Sequence, residues 1–399
     1  MHSLLAAVLS DVAGDSLSAA LAWSLPWWLA IGATGWRWRG SPSLDEIQSA
    51  APSDAPLLSV IVPARNESLH IAGCVRSILE TNYPAMEVIV VDDHSTDDTG
   101  ALASASAARD PRFRLTTPAP LPDEWLGKQW ACEHGASISK GAFLLFTDAD
   151  VRHGSELHAR MMGMMERDAC DLLTIAGHQE TLTFWERVVQ PFVFSILAQR
   201  YGGPGAVNRS PRASEKIANG QCLLFRREAY EAFGGHSAVR DRAAEDLAFA
   251  QGMFARGLRT QLALGTEQLS TRMYASLGEI VSGWGKNVYA AGRDALPGGR
   301  RATMLAPLLV PLPALWSLLP VVVLALGAVR PASPALVAFG SSATLAQLLW
   351  FAIIDRQFRI PLRYAITFPL GALVYLYIAL FAVLRGRNIE WKGRRYLAR

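Results

Sequence analysis

Apolar positions in this chain follow two different patterns. Four stretches are apolar and long enough to cross a bilayer as a helix; they are residues 17–36, 303–329, 334–354 and 364–384. The part between the first and second stretch mixes charged and apolar positions as a globular domain does. The pattern predicts four regions: an N-terminal transmembrane anchor at 1–39, a linker at 40–56, a globular domain at 57–300, and C-terminal membrane segments with a basic tail at 301–399.

Short apolar runs alternate with helical patterns in the first half of the globular domain. The runs predict buried strands at 57–62, 87–91, 112–115 and 142–146. The helical patterns lie between them, at 67–79, 97–108 (with Asp97 as N-cap) and 127–139. This alternation predicts a doubly wound, mostly parallel α/β sheet.

A dinucleotide-binding domain would also alternate in this way, but its phosphate-binding glycines are missing. The first strand is followed by the residues Pro-Ala-Arg-Asn-Glu at 63–67, without a G-x-G-x-x-G motif. A P-loop lysine motif is absent too. Carboxylates and a metal would therefore have to hold any bound nucleotide.

Two pairs of acidic residues follow predicted strands. Asp92 and Asp93 end the second strand, and Asp148 and Asp150 come directly after 142–146. Ligands of open α/β sheets lie beyond these strand ends, and alternation along a strand would point Asp148 and Asp150 the same way. Two carboxylates suit a hard divalent cation that carries a diphosphate. The alternative is a helix-capping aspartate with a chance neighbour.

Two further candidates lie at predicted helix starts. Glu245 and Asp246 form a third acidic pair, which either joins the same site or only complements a helix dipole. Lys128 opens the helix at 127–139, where it either reaches a phosphate or is a solvated lysine.

Composition and charge narrow the class of protein. Hydrophobic residues make up 51% and charged residues 18%, which is too apolar for an ordinary soluble enzyme. The formal charge of +3 is small and no basic stripe stands out, so nucleic acid is not an expected partner. Four widely spaced cysteines without C-x-x-C pairing predict reduced thiols in a cytosolic domain.

Charges beside the apolar stretches predict the topology. Arg37 and Arg39 follow the first stretch, and Asp11 and Asp15 precede it, which predicts residue 40 onward in the cytoplasm. The chain is thus expected to be a multi-pass protein of the inner membrane with a cytoplasmic domain. The basic tail is also expected in the cytoplasm. Three simple membrane passes after the cytoplasmic domain would leave the tail outside, so the proline-containing segment 303–329 is expected not to cross the membrane in one simple pass.

Several segments together resemble glycosyltransferase family 2 enzymes of GT-A fold, over about 57–265. The segments that carry the likeness are 60–67 (VIVPARNE), 90–97 (VVDDHSTD), 147–150 (TDAD), 220–230 (GQCLLFRREAY) and 233–236 (FGGH). The resemblance implies a GT-A fold with a mixed sheet and a nucleotide-sugar donor, such as a UDP-sugar.

The resemblance also implies a role for each acidic residue. Asp93 would accept a hydrogen bond from a uracil-type base, with Asp92 and Glu67 on the base or ribose. Asp148 and Asp150 would hold the sugar nucleotide through Mg²⁺ or Mn²⁺. Asp246 would be the general base of an inverting transfer, with Glu245 beside it.

A narrower likeness concerns the acceptor. The segments 121–131 (LPDEWLGKQWA) and 391–396 (WKGRRY), with the membrane layout, resemble hopene-associated glycosyltransferases and relatives acting on carotenoid-type lipids. This implies a lipid-like acceptor, a hopanoid or another isoprenoid. The Q-x-x-R-W motif of processive synthases is missing, since 282–287 reads SGWGKN. Transfer is therefore expected to be non-processive.

Three questions stay open at this point. A polyprenyl-phosphate sugar transferase would share fold and compartment, and a catalytically silent membrane scaffold would share the fold. Such a scaffold, however, would not need the full acidic set. The aromatic segment 184–194 is either core or an interfacial helix that brings a lipid to the active site.

Overall fold

The computed structural model describes residues 16–48, 54–294, 307–329, 333–385, 388–391 and 394–397. The chain folds into two compact units. The membrane-helix unit comprises Met1–Arg39, Thr181–Gly203 and Tyr274–Gly386. The sheet unit comprises Gly40–Glu180, Pro204–Met273 and Arg387–Arg399. The domain bounds given above stay a prediction.

The sheet unit is built on a seven-stranded mixed sheet with the order β3-β2-β1-β4-β8-β6-β9. Its strands are β1 (Leu58–Ala64), β2 (Met86–Asp92), β3 (Phe113–Thr116), β4 (Phe143–Thr147), β6 (Leu172–Ala176), β8 (Cys222–Arg226) and β9 (Thr260–Leu264). Strand β8 runs antiparallel to both β4 and β6, whereas the other neighbouring pairs are parallel. The four predicted strands are present, each within two residues of its expected bounds.

Three shorter strands and a terminal hairpin complete the β structure. Strands β5 (Val151–His153), β7 (His178–Gln179) and β10 (Leu269–Thr271) form a separate three-stranded sheet. Strands β11 (Asn388–Trp391) and β12 (Arg394–Leu397) pair with each other. None of these could be predicted from an apolar run, because β5, β7 and β10 have only two or three residues and β11 and β12 read NIEW and RRYL.

The helices of the sheet unit lie on both faces of the main sheet. They are α2 (Ile71–Leu79), α3 (Thr99–Ser106), α4 (Gly127–Ile138), α5 (Leu157–Arg167), α7 (Pro204–Arg209), α8 (Arg227–Phe233) and α9 (Glu245–Ala255). Val60 and Val62 belong to the apolar cluster with α2 and α5, whereas Ile61 belongs to the cluster with α4 and α9. Because both faces are covered, the strands are continuous apolar runs and not alternating ones.

Two helices start later than predicted. Helix α2 begins at Ile71 and not at Glu67, because the Glu67 carbonyl accepts hydrogen bonds from the backbone N–H groups of His70 and Ile71 in a turn. Helix α3 begins at Thr99, and Asp97 is not its N-cap. The Asp97 carboxylate accepts instead from the backbone N–H groups of Ser68 and Thr99, at 3.2 and 3.1 Å.

The membrane-helix unit contains six helices of at least 18 residues among those described. They are α1 (Leu17–Trp38), α6 (Phe184–Tyr201), α10 (Leu277–Asp294), α11 (Leu312–Val329), α12 (Pro334–Gln357) and α13 (Phe368–Arg385). Four segments in this unit are long and apolar enough to cross a membrane: Leu17–Trp38, Pro307–Val329, Pro334–Gln357 and Leu362–Leu384. That segment 303–329 does not cross the membrane in one simple pass stays a prediction.

Helix α6 contains the aromatic segment 184–194 and packs in the core of the membrane-helix unit. Phe192 is 1% exposed, and its ring stacks on that of Phe351 at 5.7 Å between centroids. Gly371 of α13 permits close approach, because a Cβ atom there would lie 2.6 Å from the Val188 carbonyl. A capping box between Thr183 and Glu186 fixes the start of the helix.

A buried chain of hydrogen bonds leads to the end of β4. The Thr81 hydroxyl contacts His158 Nδ1 at 2.9 Å, His158 Nε2 contacts His153 Nδ1 at 2.9 Å, and His153 Nε2 contacts the Thr147 hydroxyl at 3.0 Å. Thr147 donates its single hydrogen to the Gln221 carbonyl, so His153 must donate through Nε2 and accept through Nδ1. Burial lowers the pKa of His158 to about 3 and that of His153 well below its usual value.

These two histidines should make the fold sensitive to acid. Because their pKa values are depressed in the folded state, the unfolded chain binds protons below about pH 6.5 that the folded chain cannot bind. Stability should then fall with falling pH, by about 1.4 kcal/mol per pH unit for each histidine. The check is the thermal unfolding midpoint between pH 7.5 and 5, which should fall less in His158→Gln. His70→Gln, outside this chain of contacts, should behave as wild type; an equal slope in His158→Gln would contradict the prediction.

Candidate active site

The loops after β1 and β2 are joined by hydrogen bonds. The Asn66 backbone N–H donates to the Ser95 hydroxyl at 3.0 Å, and the Thr96 N–H donates to Asn66 Oδ1 at 2.8 Å. The Glu67 N–H donates to the Thr99 hydroxyl at 2.8 Å. These bonds connect the residues that are predicted to bind the nucleotide sugar, Glu67, Asp92 and Asp93. All three lie at the carboxyl edge of the sheet.

Asp92 and Asp93 differ in their surroundings. Asp92 Oδ1 accepts from the Ser95 backbone N–H at 2.9 Å, which shapes the loop. Asp93 is 2% exposed, and its backbone carbonyl accepts from the Arg65 guanidinium. Arg65 also donates to the carbonyl of His94, a residue with a left-handed φ of 55°. Arg65 thus holds the turn that presents Asp93, a role that the sequence did not reveal.

Lys128 joins two of the predicted acidic positions. Its Nζ lies 2.7 Å from Asp148 Oδ1 and 2.7 Å from Glu245 Oε1. Burial acts to lower the pKa of Lys128, but these two carboxylates hold it well above its usual value. The alternative of a solvated lysine is wrong, since the side chain is 23% exposed and bound on both sides. Losing one partner of such a group leaves a poorly solvated charge.

Asp148 and Asp150 lie beyond the end of β4, in the short link to β5. Strand alternation is therefore not what brings them together; the turn does so. Asp150 Oδ1 is buried and has no hydrogen-bond partner among the described residues. Burial, and then the charges of Asp148 and Glu67, raise the pKa of Asp150 to about 7. A cation would compensate this accumulation of negative charge.

The donor set fits a hard divalent cation. Asp148 and Asp150 offer carboxylate oxygens, which Mg²⁺ and Mn²⁺ accept together with water and phosphate oxygens. Within the described parts of the chain, no group of three or more His, Cys, Asp or Glu residues is arranged to hold a metal ion. A cation here would thus take most of its ligands from a bound diphosphate and water.

Asp246 is held at the start of α9 by two backbone donors. Its Oδ2 accepts from the Gly220 N–H at 3.0 Å and its Oδ1 from the Leu247 N–H at 2.7 Å. Burial, and then the charge of Glu245, raise the pKa of Asp246 to about 6, although Lys128 and these two hydrogen bonds oppose the rise. A carboxylate with this pKa is largely ionised at neutral pH and can still accept a proton.

Gly220 is a second position that the sequence did not single out. It holds Asp246 through its N–H, and its carbonyl lies 3.5 Å from Lys128 Nζ. A Cβ atom at this position would lie 3.2 Å from Asp246 Oδ2. The only signal in the sequence is a glycine two residues before the apolar strand β8.

The predicted residues fall into two groups. Direct contacts join Lys128, Asp148 and Glu245, and electrostatic interactions connect them with Asp150, Asp246 and Glu67. Asp92 and Asp93 lie in the next loop along the same edge. The chain reverses its strand order between β1 and β4, and ligands of open α/β sheets bind at such switch points. Glu67 and Asp148 follow these two strands.

Three comparisons with known proteins agree on the kind of domain. The family described as "Glycosyl transferase family 2" matches residues 59–234. The 4,4'-diaponeurosporenoate glycosyltransferase of Staphylococcus haemolyticus is 25% identical, over 60% of this chain and 63% of its own length. That of Staphylococcus aureus (strain MRSA252) is 27% identical over the same shares. The chain thus matches less than two thirds of the length of these relatives.

A solved structure resembles nearly the whole chain. It is a mannosyltransferase from Pyrobaculum calidifontis in complex with GDP-Man and Mn²⁺, with a TM-score of 0.53 and 21% sequence identity. The likeness covers 92% of this chain and 99% of that one. At this identity it shows the fold alone, and it confirms the predicted GT-A fold with its mixed sheet.

Proposed function

We propose that this chain, whose residues 59–234 match glycosyl transferase family 2, is a glycosyltransferase that moves one sugar from a nucleotide-sugar donor to a lipid-like acceptor. The observation that carries the proposal is the Lys128 bridge between Asp148 and Glu245. It brings residues from the end of β4, α4 and α9, far apart in sequence, to one place. A scaffold without catalytic activity would have no need of this arrangement.

The donor would bind across the two groups of acidic residues. Asp93 is the proposed partner of the base, a uracil by resemblance, with Asp92 and Glu67 beside the ribose. Bound by Asp148 and Asp150, Mg²⁺ or Mn²⁺ would supply the positive charge that stabilises the departing diphosphate. Lys128, which binds Asp148, would add a second positive charge beside the metal.

The chemistry proposed is a single inverting displacement. The acceptor hydroxyl attacks the anomeric carbon, and its proton passes to Asp246. The bond from that carbon to the phosphate oxygen breaks, and the nucleoside diphosphate leaves with the electron pair. Glu245 stays bound to Lys128, and its charge helps to keep Asp246 basic enough for this step.

A hopanoid or another isoprenoid is the proposed acceptor class. The relatives are named for diaponeurosporenoate, an isoprenoid carboxylate, so they support the isoprenoid hydrocarbon and not a particular head group. A polyprenyl phosphate is the second candidate, since the same fold and compartment would serve it.

Labelled donors test the proposal directly. The full chain in detergent is incubated with Mn²⁺, a panel of labelled sugar nucleotides and a membrane lipid extract, and the labelled lipid is identified. We expect one sugar on a neutral isoprenoid. Label on a polyprenyl phosphate would support the second candidate instead, and no transfer from any donor would favour a silent scaffold.

The same proposal places the sheet unit in the cytoplasm, where nucleotide sugars are made, with a multi-pass anchor in the inner membrane. The four native cysteines, which are all buried, are first replaced, so that an introduced cysteine is the one thiol that can react. A single cysteine in place of the exposed Glu124 should react with an impermeant reagent only after cells are opened. Ala398→Cys tests the tail in the same way. Labelling of Glu124→Cys in intact cells would overturn the orientation.

A further inference from the structure

Three amide side chains form a cluster next to Gly220 in the sheet unit. The Gln221 side-chain oxygen accepts from Gln179 Nε2 at 3.0 Å and from Asn219 Nδ2 at 3.3 Å. Backbone groups fix Asn219, because its Nδ2 also donates to the Ile175 carbonyl at 2.8 Å and its Oδ1 accepts from the Gln221 N–H at 3.3 Å. A backbone carbonyl only accepts and a backbone N–H only donates, so these contacts determine which end of the Gln221 amide is nitrogen.

The NH2 group of Gln221 is held in place but is not used within the described chain. None of the hydrogen bonds there involves it, and it is not among the buried polar atoms that lack a partner. It therefore belongs to the 7% of Gln221 that solvent reaches. An amide nitrogen carries two N–H donors. The cluster thus presents a fixed donor to a ligand that enters from solvent.

Gln221 lies between the proposed general base and the proposed metal ligands. The Gly220 N–H, one residue before it, donates to Asp246 at 3.0 Å. The Gln221 carbonyl accepts from the Thr147 hydroxyl at 2.9 Å, and Asp148 follows Thr147 directly. In an inverting displacement the sugar lies between the attacking hydroxyl, here beside Asp246, and the departing diphosphate, here beside Asp148. The sugar would therefore lie next to Gln221.

The amide cluster also approaches the second proposed metal ligand. Gln179 of β7 pairs with Thr271 of β10, and the Thr271 hydroxyl donates to the Asp150 carbonyl at 3.4 Å. All of these residues belong to the sheet unit. Short chains of contacts therefore connect the cluster with Asp150 on one side and with Asp246 on the other.

We propose that the Gln221 NH2 group binds a hydroxyl oxygen of the sugar that is transferred. Asn219 and Gln179 are positioning residues that act through Gln221, since they hold its amide in one orientation. The inference rests on the proposed function, in which a nucleotide sugar is the donor, and it makes the class of sugar more specific.

The chemistry of the amide narrows that class. A hydroxyl oxygen accepts from an N–H group, whereas a carbon without a hydroxyl cannot, and a protonated amino group carries donors alone. The Gln221 oxygen cannot compensate, because two amides already donate to it. A site that hydrogen-bonds a substrate hydroxyl discriminates against an analogue that lacks it. The site thus favours a sugar with a hydroxyl at this carbon over a deoxy or an amino sugar.

Calorimetry without any acceptor tests the contact. The full chain in detergent with Mn²⁺ is titrated with UDP-glucose, UDP-galactose and GDP-mannose, and with UDP and GDP alone. The nucleotide sugar that gains most over its nucleoside diphosphate is then compared with its analogues that each lack one hydroxyl. Wild-type protein should bind at least one analogue about tenfold more weakly, the effect of one hydrogen bond. If no sugar adds to the affinity of its nucleoside diphosphate, the inference fails.

Gln221→Met identifies the group responsible, since it keeps a side chain of similar length and removes the amide. The affinity that the sugar adds should fall about tenfold, and the sensitive analogue should bind as well as the complete sugar, because the contact is already lost. Affinity for the nucleoside diphosphate should not change, which shows that the variant is folded. Gln179→Met removes one of the two groups that hold Gln221 and should reduce the contribution of the sugar less. It still tests the contact if Gln221→Met does not fold.

Gln261→Met is the matched control, because the amide of Gln261 on β9 donates to Asp168 at 2.6 Å, and this variant should bind like wild type. The same loss for every analogue in wild type and in Gln221→Met would overturn the contact, as would an unchanged contribution of the sugar in both variants. Since these measurements need neither acceptor nor turnover, the contact can hold in a protein that transfers no sugar. The proposed function alone would then fail.

Discussion

Replacing Asp246 by Asn should lower turnover by roughly 10²–10⁴, the usual contribution of a positioned general base, and leave donor affinity unchanged. The amide has nearly the same shape, and its single oxygen can still accept from one of the two N–H groups, of Gly220 and Leu247, that hold the carboxylate. It cannot take a proton from the acceptor. The main effect should therefore fall on the chemical step.

The pH profile should change with the same substitution. Wild-type turnover should rise with pH through about 6, where the Asp246 carboxyl loses its proton, and then level off. The variant keeps Glu245 and Lys128, the charged groups that act on Asp246, but it has no carboxyl group to titrate at this position. The rise in its turnover through pH 6 should therefore disappear. Asp241→Asn, the same change at a partly exposed residue nearby, is the control. Turnover within about threefold of wild type would reduce Asp246 to a partner of the helix dipole.

The strands in the first half of the sheet unit could be predicted from the sequence, because burial on both faces of the sheet produces continuous apolar runs. Strands β1, β2 and β4 are of this kind, and each is followed by an acidic residue where the ligand edge of such a sheet must be. Strands β5, β7 and β10 have two or three residues each, too few for any periodicity. Their pairing depends on contacts between distant parts of the chain.

Candidate residues for the site could be named from the sequence, but their contacts could not. A lysine at a helix start carries no sequence signal that separates a solvated side chain from one bound to two carboxylates. Lys128 is bound to two carboxylates because the end of β4 and the start of α9 meet beside it. That meeting is a property of the fold. Gly220 and Arg65 were not predicted either, because Gly220 acts through its own backbone N–H and the Arg65 side chain binds backbone carbonyls.

The site as a whole carries more negative than positive charge. Five carboxylates, Glu67, Asp148, Asp150, Glu245 and Asp246, interact with one another and with the single cation Lys128 among the described contacts of this cluster. The raised pKa values of Asp150 and Asp246 follow from burial together with this excess. A divalent cation brought in with a diphosphate would balance it, and the donor and the metal should then bind together.

Asp150→Ala should weaken metal-dependent donor binding at least about 100-fold, since even groups that only orient metal ligands contribute 10- to 100-fold. The fold should survive, because the substitution removes a buried oxygen that has no partner within the described chain. Calorimetry of the donor with Mn²⁺ and with a chelator measures the metal-dependent part, and Glu231→Ala, a change at an exposed carboxylate, should leave it intact. If wild-type protein binds the donor equally well with the chelator, Asp148 and Asp150 do not act through a metal. Lys128 alone would then have to neutralise the diphosphate.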